Sequence, residues 1–351
     1  MLECGAISEY KDFIYQRTKK DLGVGGMYQA ATQEVVEFQP DLIVYVSSWP
    51  KDDIPHQLLA GFEEVGSKVL PIAWDTFPGP TNETFRQNLW FQSCSYFCDV
   101  CSFSSYAKFR FWNEALNLDK GVIYLSGNNL LASRFNKIPL RKDIDVSLIG
   151  SMYKSRERLL NYLRPKLASA GISLSHFGGA FDETKAPAQD GTTSNWLSHE
   201  DYVNIINRSK IVLCPGGADG QWAVRGKIFE FMSCGAFCLV EENPDITKTI
   251  PEETLSTYAN FEECLQKILY YMAHEEEREE SALASRLWYQ ETYNSSNFWK
   301  DFLSGVVSGQ TEFKNTPFVE ENYQRSRVKF LESFEGIPIT PEKIMRLELD
   351  S

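Results

Sequence analysis

Residues 205–242, IINRSKIVLCPGGADGQWAVRGKIFEFMSCGAFCLVEE, decide how this chain is read. Ile211–Leu213 is a short apolar, β-branched run. It stops at Cys214-Pro215-Gly216-Gly217, where adjacent glycines permit positive φ and close approach of backbone to a ligand. After a polar loop, Arg225 and Lys227 open a helical pattern that carries Glu230 one turn in. Gly235 closes that helix, and Ala236–Val240 forms the next strand. A glycine loop at a strand's carboxyl end, facing a helix N-terminus flanked by two cations, suits a diphosphate. A glutamate just inside the helix can accept two hydrogen bonds from a ribose diol. Residues of these types in this order point to a nucleotide-sugar pocket.

Strand and helix patterns alternate on both sides of this stretch. Upstream come helices over 8–22 and 27–38, split by Gly23–Gly26, then strand 41–46, helix 53–65, strand 69–75 and helix 83–93. Strand 96–103, helix 105–115 and strand 121–126 follow. Residues 128–144 lack periodicity and read as a connection. A second alternating run holds strand 145–150, helix 154–169, strand 172–177, helix 199–208, strand 210–214, helix 225–234 and strand 236–240, with helical patterns from Phe261 to about Val307. Such alternation predicts right-handed crossovers and parallel sheets. The expected domains are 1–130 and 140–310, both Rossmann-like α/β units. Residues 311–351 are expected to form a C-terminal helix and tail, with Val319–Phe334 the segment able to cross back onto the first domain.

At 351 residues there is enough chain for two separate cores. A net charge of −13 argues against a polyanionic partner, and no basic stripe marks a nucleic-acid or anionic-membrane surface. The longest apolar runs are strand-sized, so no transmembrane segment is expected. The start, MLECGAISEYKDF, lacks the basic and apolar regions of a signal peptide, which predicts a cytoplasmic protein. The sequons at Asn82, Asn207 and Asn294 are then read as chance. Cys94, Cys98 and Cys101 have the C-x3-C-x2-C spacing of a radical-SAM iron–sulfur loop. A strand over 96–103, however, sends Cys98 and Cys101 to opposite faces, so buried thiols are the favoured reading. Cys214, Cys234 and Cys238 are expected in the core. Asp52-Asp53, just before a helix, reads as a cap rather than a metal site.

Three segments carry a family resemblance. Phe229-Glu230-Phe231-Met232-Ser233-Cys234-Gly235-Ala236-Phe237 resembles the "FEA-x-x-CGAF" segment of GT-B glycosyltransferases, in particular the spore-maturation-protein-like branch. Asp145-Val146-Ser147-Leu148-Ile149-Gly150-Ser151 with Arg156 is similar to that branch's "D-V-S-F-I-G-S…R". Val69-Leu70-Pro71-Ile72-Ala73-Trp74-Asp75 is similar to its "I-P-V-V-x-W-x-x-D" strand. The three come in family order, and the resemblance spans roughly residues 40–300. It implies two Rossmann-like domains facing across a cleft, with the donor held mostly by the second. Proteins of this branch usually begin with a strand, whereas this chain begins with helices, so its first domain is expected to be trimmed or remodelled.

The resemblance assigns roles position by position. Gly150 and Ser151 would present backbone N–H groups to phosphate. Arg156 either reaches the anion or is a surface charge. His176 and Gly178 lie where the family contacts the nucleobase, though a satisfied sheet-edge histidine is the alternative. Gly216 and Gly217 would approach the diphosphate, Arg225 and Lys227 would stabilise it as it leaves, and Glu230 would hold the ribose. Lys227 stands where the family more often has arginine. Many retaining relatives carry a glutamate eight positions before Glu230; here that position is Trp222, leaving sugar recognition to Asp219, Gln221 or backbone. Asp75, before a Gly/Pro-rich turn, is the candidate general base, or else caps that turn. The activity implied is metal-independent transfer of a sugar from a nucleoside-diphosphate sugar to an acceptor hydroxyl on a carbohydrate or glycosylated molecule, with no cofactor. A catalytically inactive relative that binds a nucleotide sugar or glycan is the alternative.

Overall fold

The computed structural model describes residues 7–47, 56–73, 100–103, 121–124, 134–152, 154–178, 197–216, 224–243, 246, 250–292, 300 and 303–304. The chain forms two compact units: residues up to Ser126 fall in the first, and Gly127–Phe298 in the second.

In the first unit α1 spans Tyr15–Phe38, with Gly23 at φ 73°, ψ 179° inside it. The expected glycine break is present at Gly23, where two helical segments meet across a kink; residues 8–14, read above as helical, are not helix. Ile14, at the N-cap, has no side-chain oxygen to take an orphan N–H, so α1 starts without a side-chain cap. The β-branched run Leu42–Ser47 forms β1, followed by α2 (His56–Glu64) and β2 (Lys68–Ala73). β3 (Val100–Phe103) and β4 (Gly121–Tyr124) complete a four-stranded parallel sheet in the order β1-β2-β3-β4.

The second unit contains β5 (Ile144–Ile149), α3 (Lys154–Ser169), β6 (Leu174–Phe177), α4 (His199–Arg208) and β7 (Ser209–Cys214). It continues through α5 (Gly226–Ser233), β8 (Cys238–Glu241), a short 3-10 turn at Glu252–Thr254 and β9 (Ser256–Tyr258). It closes with α6 (Phe261–Ala273) and α7 (Glu275–Thr292). All pairings are parallel, in the order β6-β5-β7-β8-β9. The chain leaves β5 for β6 on one side and returns to lay β7 on the other. The carboxyl ends of β5 and β7 thus form the switch point where open α/β sheets take ligands.

Burial on both faces explains the near-continuous apolar strands. Ile149, Val212, Ile228, Phe229 and Met232 pack on one side, and Val146, Leu148, Leu160, Leu163, Ile211 and Leu239 on the other. Each such side chain contributes roughly 1.5–3 kcal/mol by leaving water. Ser198 caps α4 through the Asp201 N–H at 3.0 Å, and Asn260 caps α6 through the Glu263 N–H at 2.9 Å. Asn207 is buried and fully used: Oδ1 accepts from Ile138 N–H (2.8 Å), and Nδ2 donates to the Asn136 and Val203 carbonyls. The aperiodic connection is pinned to α4 in this way, and the Asn207 sequon cannot carry a glycan in the folded unit. Cys214, Cys234 and Cys238 are buried and free, as their apolar context predicts. Cys94 and Cys98 lie outside the described residues, and Cys101 is on β3.

Candidate functional site

The residues singled out in the second unit collect at the carboxyl edge of its sheet. β5 runs out at Gly150 (φ 134°) and β6 at Gly178 (φ 138°), conformations that L side chains rarely adopt. A Cβ on Gly178 would lie 2.6 Å from the Gly150 carbonyl oxygen, so the two strand ends can close only on glycine. A Cβ on Gly150 would lie 2.5 Å from Lys227 Nζ and 3.1 Å from Arg156 Nη1. The space vacated by that side chain is taken by an ammonium group, whose Nζ donates to the Ile149 carbonyl at 2.9 Å. Arg156 Nη1 donates to the Ser151 carbonyl at 2.6 Å, which folds the start of α3 back onto the same turn. His176 is buried, with Nε2 2.7 Å from the Gly150 oxygen. It is a satisfied edge histidine that buttresses the glycine turn.

Helix α5 brings the remaining groups. Arg225 is its N-cap residue, Lys227 lies in its first turn and Glu230 one turn on, and the intervening Ile228 and Phe229 are buried. The i, i+3 spacing of Lys227 and Glu230 puts both on one side of the helix. The Tyr202 phenol, from α4, donates to Glu230 Oε2. Lys227 Nζ lies 5.9 Å from the centre of the Tyr202 ring, within cation–π range.

Electrostatics follow this crowding. Burial, then the Arg156 charge, pushes the Lys227 ammonium below its usual range, while Cys214 and Glu230 oppose. Burial pushes the Glu230 carboxyl up, against the Tyr202 hydrogen bond and the Lys227 and His199 charges. The Cys214 thiol is pulled down by its hydrogen bond with Cys238, against burial, with Arg156, Lys227 and Arg225 adding to the effect. Lys227 Nζ and Arg156 Nη1 both lie at the Gly150 turn, an arrangement suited to an anion.

Gly216 has a different partner from the one expected. Its N–H donates to Glu241 Oε2 at 2.6 Å, and a Cβ there would meet the same oxygen at 2.9 Å. One amide predicted for phosphate is thus held by an internal carboxylate at the end of β8. Gly217, Asp219 and the candidate base Asp75 lie outside the described residues. Sequence reading missed Tyr202 and Glu241. Tyr202 looks like one more apolar position of α4, and Glu241 like the solvated end of a strand. Only the pairing of β7 with β8 and of α4 with α5 shows their reach.

Residues 144–304 match the family model described as glycosyl transferase-like, a segment of less than half the chain that holds Gly150, Arg156, Lys227 and Glu230. HepE of Anabaena, in complex with UDP-glucose, has a TM-score of 0.57 at 14% identity, covering 81% of this chain and 82% of HepE. A variant of TarM from S. aureus, in complex with fondaparinux, alpha-GlcNAc-glycerol and UDP, has a TM-score of 0.59 at 10% identity. That match covers 80% of this chain but only 59% of TarM, less than two thirds of its length. A Listeria monocytogenes structure assigned as a UDP-N-acetylglucosamine 2-epimerase has a TM-score of 0.51 at 12% identity, covering 91% of this chain and 88% of the other. A search of curated proteins returns no match. At these identities the likeness establishes the fold: an α/β chain with parallel sheets of the GT-B type. The finer resemblance to the spore-maturation-like branch rests on the sequence segments alone. Among the described residues no helix is long and apolar enough to cross a membrane.

Proposed function

We propose that this chain is a glycosyltransferase that transfers a sugar from a nucleoside-diphosphate donor to an acceptor hydroxyl. The observation that carries the reading is the meeting of Lys227 and Arg156 at the Gly150 turn, with Glu230 one turn along α5, at the switch point of the second sheet. In this reading the cations and the N-terminus of α5 stabilise the leaving diphosphate, which is electrostatic catalysis that needs no divalent metal. Glu230 accepts from the ribose, and the glycine turn at Gly150 and Ser151 lets the phosphates approach backbone. Asp75 remains the candidate base for the acceptor hydroxyl. UDP is the first nucleotide to try, because the HepE and TarM structures are UDP complexes.

Calorimetry with UDP, GDP and dTDP, followed by nucleoside-diphosphate release from their sugars with and without acceptors in EDTA, tests the proposal. Binding of one nucleotide with acceptor-dependent release is expected; no binding of any of the three would sink it. A second reading, a non-catalytic binder, is favoured by Trp222 standing where many retaining relatives carry a glutamate. Tight nucleotide-sugar binding with no turnover against a broad acceptor panel would select it.

A further inference from the structure

We propose that Tyr202 is a positioning residue of this site: its phenol donates to Glu230 Oε2, fixes the rotation of the carboxylate, and leaves Oε1 as the oxygen offered to a ribose hydroxyl. The choice of ligand rests on the nucleotide reading above; the geometry does not. Glu230 and Tyr202 are 28 positions apart, on different helices, and the phenol is the hydrogen-bond partner of the Glu230 carboxylate among the described residues. A glutamate on a helix surface rotates freely about its last bond, and ordering it only on ligand binding costs entropy. Here the donor is itself held. Phe135 packs edge-on against the Tyr202 ring at 6.3 Å and against His199 at 5.1 Å, while Lys227 Nζ lies 5.9 Å from the ring centre. A phenol locked by aromatic packing locks the carboxylate that accepts from it, which is preorganisation of a binding group before the ligand arrives.

The same contact acts on the charge state. The groups acting on Glu230 are Tyr202 and His199 from α4 and Lys227 on its own helix, and the Cys234 thiol at the end of α5 is in turn pushed up by Glu230 after burial. Burial favours the neutral acid, while the phenol, the ammonium and His199 favour the carboxylate that a ribose donor needs. Removing the phenol oxygen should therefore make Glu230 protonate at higher pH. The phenol cannot compete for that role as an anion, because burial and Glu230 push its own ionisation far up.

The test follows the Glu230 carboxyl by NMR in protein labelled with 13C-glutamate, the resonance being assigned with Glu230→Gln, alongside UDP titrations at a series of pH values. In Tyr202→Phe the carboxyl should titrate about one pH unit higher. UDP should bind about tenfold more weakly at neutral pH, with the acid-side loss of affinity beginning earlier. 3-Fluorotyrosine at position 202, a stronger donor, should move the titration the opposite way; it serves as the second variant should the phenylalanine chain not fold. A Glu230 titration unmoved by both changes overturns the proposal, whatever UDP does. If the titration moves as expected but no nucleotide binds the unaltered protein at any pH, the positioning contact stands and the nucleotide reading falls.

Discussion

Glu230 is a half-buried carboxylate on a helix whose neighbouring residues Phe229 and Phe231 are fully buried. Binding and folding make opposite demands on it. Its carboxyl titrates above the usual range when folded, so the stability linked to it is present at low pH and is lost as pH rises through that value. Glu230→Gln should therefore gain stability relative to the unaltered protein at neutral pH, read from urea midpoints. It should also weaken UDP by about 1.5–3 kcal/mol, the value of a charged hydrogen bond, read by calorimetry. The glycines of the strand ends make a second prediction. Gly178→Ala puts a methyl group against the backbone carbonyl of Gly150 in a left-handed conformation and should cost about 1–3 kcal/mol in the same urea assay. The clash at Gly150→Ala is with the Lys227 ammonium, which would have to leave its place, so that variant should lose nucleotide affinity as well as stability.

Among the elements, β5 is tied to both neighbouring strands by one side chain. Asp145 Oδ1 accepts from Lys210 Nζ of β7 at 2.6 Å, and Oδ2 accepts from the N–H and hydroxyl of Ser173, just before β6. Burial raises the Asp145 carboxyl, but these hydrogen bonds outweigh it and the net shift is downward. The linked stability is thus present above the ordinary aspartate range and lost as pH falls through the lower folded value. Asp145→Asn should cost about 1 kcal/mol at neutral pH, a modest figure because the pair is partly exposed and screened. The difference from the unaltered protein should vanish in acid; a difference that persists there would show that the pair works through packing rather than charge. Element types in the second unit were legible because their patterns are strong: helices 154–169 and 199–208 fall where periodicity puts them. β9 was not foreseen, because three residues following a 3-10 turn leave no periodic signal.

For the whole molecule, ligand binding to one unit should be felt there first. If UDP is held by residues 144–304, saturation at about a hundred times Kd stabilises that unit by roughly 2.7 kcal/mol. Hydrogen exchange should then slow at the ends of β5 and β7 and in α4 and α5, and stay unchanged in β1 and β2. Protection confined to β1 and β2 would place the ligand elsewhere. The net charge of −13 sets a further expectation for the intact chain: no retention on immobilised nucleic acid at physiological salt.

The amino-acid order alone determined the alternation of strands and helices, the parallel sheets it implies, the burial of Cys214, Cys234 and Cys238, and the placement of Lys227 and Glu230 on one side of one helix. These follow from local periodicity and from residues three apart on one helix. Tertiary structure alone decided which groups those side chains meet. It put the Lys227 ammonium in the space Gly150 leaves, spent the Gly216 amide on Glu241, turned His176 inward onto a carbonyl, and set the Tyr202 phenol against Glu230. Each contact joins residues 25 or more positions apart. No window of sequence shows such neighbours, because the order of strands in the sheet, not the order of residues in the chain, sets who lies beside whom.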